Sequence, residues 1–245
     1  MTRLVQLTDC HLHADPAARS RAGFPLRQLE AVVEAVRHER PDLVLVTGDI
    51  SQDETHASYH NAERVLASLD CPWFWFGGNH DQPGLMRDIR AIHDDIDLGV
   101  WRLLIADTCV AGQAHGELGE DRIAALAERL AQDERPTLLA MHHPPLAVGS
   151  VWLDEIGLKD SEALWQALMP FTQLKAILCG HIHQAYAGRH SLEEGDVMVY
   201  GCPSTTDQFL AGADAFAIDE ASRPGYRVLD LHEREWQTWI ERVDL

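Results

Sequence analysis

Five short apolar runs punctuate this chain, and each leads within a few residues to side chains that bind metals. Residues 4–7 lead to Asp9 and His11, 43–46 to Asp49, 72–76 to Asn79, 137–141 to His142, and 176–179 to His181 and His183. The run Leu43-Val44-Leu45-Val46 fits a strand buried on both faces. Helical spacing separates the first three runs. Leu26, Leu29, Val32, Val33 and Val36 share one face of a helix predicted over 26–39, and 56–69 reads as a second helix. A β-α-β-α-β order predicts parallel strands with helices on their faces. In such sheets binding residues gather beyond the carboxyl ends of the strands. Five motifs distant in sequence are therefore expected to meet along one edge.

Further strands are predicted over 103–107 and, beyond Gly188, over 197–200, 215–218, 226–231 and 236–240, the last four as antiparallel hairpins. Helices are predicted over 120–131 and 161–169. No repeat or linker divides the 245 residues, so 1–245 is expected to be one domain. With 46% hydrophobic residues the chain can build a substantial core, which excludes disorder. No apolar stretch approaches the ~20 residues of a membrane span. The N-terminus reads as a strand rather than a secretory signal, which places the protein in the cytoplasm as an expectation. The five cysteines are scattered and never spaced as Cys-x-x-Cys, which argues against disulfides and thiolate zinc sites.

The net charge of −19 repels polyanions and excludes long nucleic acid as a substrate. A small phosphate compound remains compatible, because bound cations reverse the local potential. The candidate ligands supply nitrogen and oxygen but no sulfur, which suits iron, manganese or zinc. In an extended segment residues i and i+2 point the same way, so Asp9 with His11, and His181 with His183, can each reach one ion. Asp49 has two oxygens and can bridge two ions, and Asn79 adds a neutral oxygen. Two adjacent metals point to phosphate ester hydrolysis. His80, next to Asn79, is placed to protonate a leaving group, with Asp81 to orient its ring.

Taken together, Asp9-Cys10-His11, Gly48-Asp49, Gly78-Asn79-His80-Asp81, His142 and Gly180-His181-Ile182-His183 resemble the five blocks of the calcineurin-like metallophosphoesterase superfamily. The resemblance implies an α/β fold, a four-layer α/β/β/α sandwich of two mixed sheets with a binuclear centre at one edge. It implies that Asp9, His11, Asp49 and His183 hold one metal and that Asp49, Asn79, His142 and His181 hold the other. Longer blocks are similar to those of bacterial class III 3′,5′-cyclic AMP phosphodiesterases: residues 45–53, 115–118, 141–145 and 178–184, and 203–205 with Gln208 and Phe209. That likeness implies iron or manganese (with zinc also admissible), cyclic AMP as substrate, and His11, Asp49, Asn79, His80 and His183 lining its phosphate. It leaves open a homodimer, a broader phosphodiesterase acting on 2′,3′-cyclic nucleotides or glycerophosphodiesters, and a non-catalytic scaffold. Trp73, Trp75, Trp152 and Phe209 are open both to stacking a base and to a place in the core. Ser204, Thr205 and Gln208 are open both to substrate contact and to ordinary turn chemistry.

Overall fold

Side chains alternate along β2 (Leu43–Thr47) between two different cores. Leu43 and Leu45 enter one apolar cluster, Val44 and Val46 another. The same split occurs on β6 (Thr137–Met141), where Leu138 and Ala140 share the cluster of Leu43, while Leu139 and Met141 enter a third. Two sheets therefore face each other across the shared cluster, and each is covered outside by helices. The computed structural model describes residues 1–192, 195–233 and 235–245.

In chain order the remaining elements are β1 (Thr2–Leu7), α1 (Pro25–Glu39), α2 (His56–Leu66), β3 (Trp73–Phe76), α3 (Pro83–Ile89), β4 (Asp95–Leu98), β5 (Trp101–Ile105), α4 (Gly119–Ala131), the single turn α5 (Val151–Asp154), α6 (Ser161–Leu168), β7 (Leu174–Cys179), β8 (Tyr186–Leu192), β9 (Gly195–Gly201), β10 (Gly225–Leu231) and β11 (Trp236–Arg242). One sheet has the order β11-β10-β1-β2-β3, the other β4-β5-β6-β7-β9-β8. Strands β1, β2 and β3 run parallel, as do β5, β6, β7 and β9, while β10, β11, β4 and β8 pair antiparallel. Helices α1 and α2 pack on the first sheet, α4 and α6 on the second. The α/β/β/α layering of two mixed sheets is as expected. Among the described residues no helix is long and apolar enough to cross a membrane.

Three details depart from the sequence reading. Residues 215–218 form no strand; only an isolated bridge joins Phe209 to Ile218. Strands β4 and β8 and helices α3 and α5 were not anticipated. Strand β8 alternates exposed and half-buried residues around Gly188, Arg189 and His190, so it lacks the apolar run that marks an inner strand. Finally, β9 is antiparallel to β8 but parallel to β7, so it is no mere hairpin arm.

Polar side chains tie the sheets together between the apolar layers. Arg227 on β10 is 4% exposed, donates to the carbonyls of Gly201 (2.9 Å) and Tyr186 (3.2 Å), and lies over Tyr200. Gln6 on β1 donates to the Cys179 carbonyl at the end of β7 (3.0 Å) and to Thr47 Oγ1 (2.9 Å). The second tie sits directly beneath the edge where the candidate ligands emerge.

Candidate metal centre

All seven candidate ligands converge at the carboxyl ends of β1, β2, β3, β6 and β7. Nε2 of His11 lies 3.1 Å from Nε2 of His183 and 3.7 Å from Asp49 Oδ2. Nε2 of His183 is 3.4 Å from Asp9 Oδ1. On the other side, His142 Nε2 is 3.3 Å from Asp49 Oδ2 and 4.0 Å from Asp9 Oδ1, and His181 Nδ1 is 3.0 Å from Asn79 Oδ1. Asp49 Oδ2 thus faces both groups, while its Oδ1 accepts the His80 backbone N–H at 2.9 Å.

The backbone reaches this arrangement differently from the expected extended pairs. Asp9, His11, Asp49, His181 and His183 all have positive φ, between 44° and 68°. Left-handed turns at both members of each pair, and not strand alternation, bring the side chains together. Such conformations cost on the order of 1–3 kcal/mol each for residues with a Cβ and gather at functional sites. Hydrogen bonds between the loops offset that cost: Asp9 N to Gly48 O (3.0 Å), His11 N to Asp49 O (3.0 Å), and His181 N to the Asp9 carboxylate (3.1 Å). Gly78 is required by close approach, since a Cβ there would sit 2.6 Å from Asp49 N and 2.7 Å from His142 Cε1. Cys10, between the first two candidates, turns into the core, where burial pushes its thiol up to about 12.

The donor set fits cations on three grounds. First, three imidazoles have Nδ1 engaged: His11 with Gln52 Oε1 (2.9 Å), His142 with the Thr47 carbonyl (2.8 Å) and His183 with the Asp207 carbonyl (2.7 Å). A hydrogen on Nδ1 leaves a lone pair on Nε2, the tautomer and orientation that metal-binding histidines adopt. Second, the Nε2 lone pairs of His11 and His183 then face each other, an arrangement that is repulsive without a cation between them. Third, Nε2 of His181 is buried with no hydrogen-bond partner, and Nε2 of His142 has only the Asp49 carboxylate beside it at 3.3 Å; such burial is costly unless the atom binds something. Burial also holds His11 down at about 4 and His181 well below the usual imidazole range, so both are neutral. Burial opposes a charge on His142 as well, but the Asp49 carboxylate outweighs it and raises His142 to about 9. Asp49 is correspondingly held well below the carboxylate range, as the charges around it overcome its burial.

His80 borders the cleft and meets His11 edge-on at 5.1 Å. Asp81 does not orient it, contrary to expectation. The Asp81 carboxylate is buried and accepts from Gly78 N (2.8 Å), Ser51 N (3.0 Å) and Ile50 N (3.1 Å), so it fastens the loop after β3 to the loop after β2. His143 has both ring nitrogens engaged, with Thr108 Oγ1 (2.8 Å) and the Ala114 carbonyl (3.2 Å), and supports the site from behind. Trp73 and Trp75 are core residues. Ser204 donates to Asp9 O and so ties its loop to the one after β1, Gln208 donates to Ser204 O and Thr206 O, and Thr205 is buried; none of the three lines the cleft. Trp152 and Phe209 line the cleft, joined by Phe216, which sequence reasoning passed over. Gln52, Asp207 and the Thr47 carbonyl were likewise missed. Two of them act through backbone oxygens, which leave no signature in a sequence.

The model of the family "Calcineurin-like phosphoesterase" matches residues 2–185. The chain belongs to that family. Its reaction class is therefore hydrolysis of a phosphate ester; the family uses a divalent metal pair, and the His and Asp groups here are placed to hold metal. Relatives named "3′,5′-cyclic adenosine monophosphate phosphodiesterase CpdA" include one from Pseudomonas aeruginosa, 39% identical over 98% of this chain and 90% of its own length. Another, from Escherichia coli (strain K12), is 35% identical over 94% of this chain and 85% of its own. Among solved structures, a dimetal phosphatase from Danio rerio superposes with a TM-score of 0.72 at 13% identity, covering 99% of both chains. A purple acid phosphatase from yellow lupin seeds gives 0.67 at 15% identity, covering 98% of this chain and 51% of its own. These two likenesses speak to the fold.

Proposed function

We propose that this chain hydrolyses 3′,5′-cyclic AMP to 5′-AMP. The observation that carries the reading is near-full-length likeness to relatives of that name. The convergence of all seven candidate donors supports it. Asp9, His11, Asp49 and His183 are assigned to one cation, and Asp49, Asn79, His142 and His181 to a second, with Asp49 serving both. Iron or manganese suits this nitrogen and oxygen set, and zinc also fits. Bound there, such a pair would supply an acidified water as nucleophile and would neutralise charge building on the phosphate.

The protein's own groups do the rest. His11, Asp49, Asn79, His80 and His183 border the phosphate end of a cleft of about 710 Å³. His80 has its backbone fixed by Asp49 while its ring faces the cleft. It gives a proton to O3′ as the P–O3′ bond breaks, so that the ribose leaves as an alcohol. Asp81 keeps the loops carrying Asp49 and His80 in register. The cleft falls within the ~300–1,000 Å³ usual for small-molecule sites and admits bulkier diesters. A broader phosphodiesterase, acting on 2′,3′-cyclic nucleotides or glycerophosphodiesters, is therefore the second reading. A panel of kcat/KM values on metal-loaded protein decides between them, because specificity is a ratio. The proposal predicts cyclic AMP at the head of the panel, and absence of turnover in protein shown to hold both metals contradicts it.

A further inference from the structure

One end of the cleft is aromatic, and several of its polar groups are already engaged. Phe209 stacks face to face on His183, with centroids 3.9 Å apart and planes at 7°. The aromatic wall thus begins one ring away from the metal-type donors. Trp152 and Phe216 meet Phe209 at a steep angle at 5.1 and 5.3 Å and each other at 5.2 Å, closing a trio. Phe216 is 46% exposed. The Arg21 guanidinium lies 4.8 Å over its ring. Arg21 is held there because the Asp207 carboxylate accepts from Ser20 Oγ (2.7 Å), Arg21 N (3.3 Å) and Ala22 N (2.7 Å).

Several groups able to read the edge of a base are engaged at this end. The Asp207 carboxylate is occupied as just described. The Gln208 amide donates to two carbonyls, and its oxygen accepts from Arg242. The Ser204 hydroxyl is spent on Asp9 O, and the Trp152 indole N–H, though it has no partner, is buried away from the open cleft. What remains on offer is aromatic surface and the exposed guanidinium groups of Arg19 and Arg21, and both kinds of group stack on nucleobases.

Resting on the cyclic nucleotide reading above, we propose that the rings of Trp152, Phe209 and Phe216, with Arg21 at their rim, hold the nucleobase by stacking. The site then favours purines by area and separates adenine from guanine only weakly. Stacking tolerates any base, because every base has a π-face. Strong discrimination, on the order of 10⁴ or more, comes from buried hydrogen-bonding groups that one substrate satisfies and another leaves unpaired.

The test measures kcat and KM for cyclic AMP, cyclic GMP, cyclic CMP and a base-free ribose 3′,5′-cyclic phosphate. It uses metal-loaded wild type, Phe216→Ala, Phe216→Tyr and Arg21→Gln, all at exposed positions. The two purine nucleotides are expected within about tenfold of each other in kcat/KM, both above cyclic CMP. Phe216→Ala should raise KM for both purines about tenfold or more relative to its effect on the base-free substrate, with the loss in KM and not kcat, and Phe216→Tyr should restore it. Wild type that turns over cyclic AMP at least 10³-fold better than cyclic GMP overturns the proposal while leaving the hydrolysis standing. Purine KM values that do not move in Phe216→Ala do the same. Wild type inactive on every cyclic phosphate defeats the underlying reading, and this inference with it.

Discussion

A neutral imidazole holds a cation through one lone pair, so the hydrogen on its other nitrogen must be parked elsewhere. His11, His142 and His183 each park it on an oxygen of a neighbouring loop. The donors themselves are legible in the sequence, because each is a side chain in a short motif. Their supports, such as the Thr47 and Asp207 carbonyls, are legible only in three dimensions. His142 gives a pH prediction. With its pKa raised to about 9, it carries a proton at neutral pH in metal-free protein, and a cation must displace that proton. Metal affinity should therefore rise up to about tenfold per pH unit below 9 and level off above it. Calorimetric titration of Mn²⁺ into metal-free protein, in two buffers of different ionisation enthalpy, should show proton release at pH 7; no release contradicts the assignment. His80→Ala should keep its metal while kcat falls on the order of 10²–10⁴, the usual loss with a general acid. Asp49→Ala should lose metal along with activity, and elemental analysis of both variants separates the two roles.

Inner strands built from dense apolar runs and helices with a clear apolar face were legible, and the edge strands β4 and β8 were not. Strand β2 was readable because all five of its residues are buried. Strand β4, Asp-Ile-Asp-Leu with only alternate residues buried, carries half that signal on an edge. Residues 215–218 look like a strand by composition, yet they carry Phe216 to the cleft rim. Local pattern also failed where the ligand loops leave the strands, because left-handed turns there are imposed by hydrogen bonds to a neighbouring loop. Asp81 is the fastener between two such loops, accepting three backbone N–H groups. Asp81→Asn replaces an acceptor oxygen by an NH₂ facing donors. It should destabilise the fold by about 1–3 kcal/mol, the cost of a buried donor left unpaired, and weaken metal retention. Thermal melts with and without Mn²⁺ check this; an unchanged melting temperature and metal content would mean that the loops hold together without it.

The whole molecule is two half-sites on two sheets. Asp9, His11, Asp49 and Asn79 come from the first sheet, and His142, His181 and His183 from the second, so the centre exists only while the sheets stay aligned. The order of motifs implied that alignment, but the ties that fix it, Gln6 and Arg227, are polar residues inside strands and gave no warning. Arg227→Met should remove the donor that the Gly201 and Tyr186 carbonyls share, at a cost of about 1–3 kcal/mol. Denaturant unfolding should show that loss, accompanied by lower metal content although no ligand has changed; full metal content in the variant would show that the sheets align without this tie. The −19 net charge sets the remaining condition at this scale: a phosphate approaches such a molecule readily only where bound cations reverse the field. The most direct measurement is cyclic AMP hydrolysis by metal-free protein titrated with Mn²⁺. Paired cations predict activity that climbs to a plateau at two equivalents per chain; a plateau at one equivalent, or no turnover once two are bound, contradicts the account.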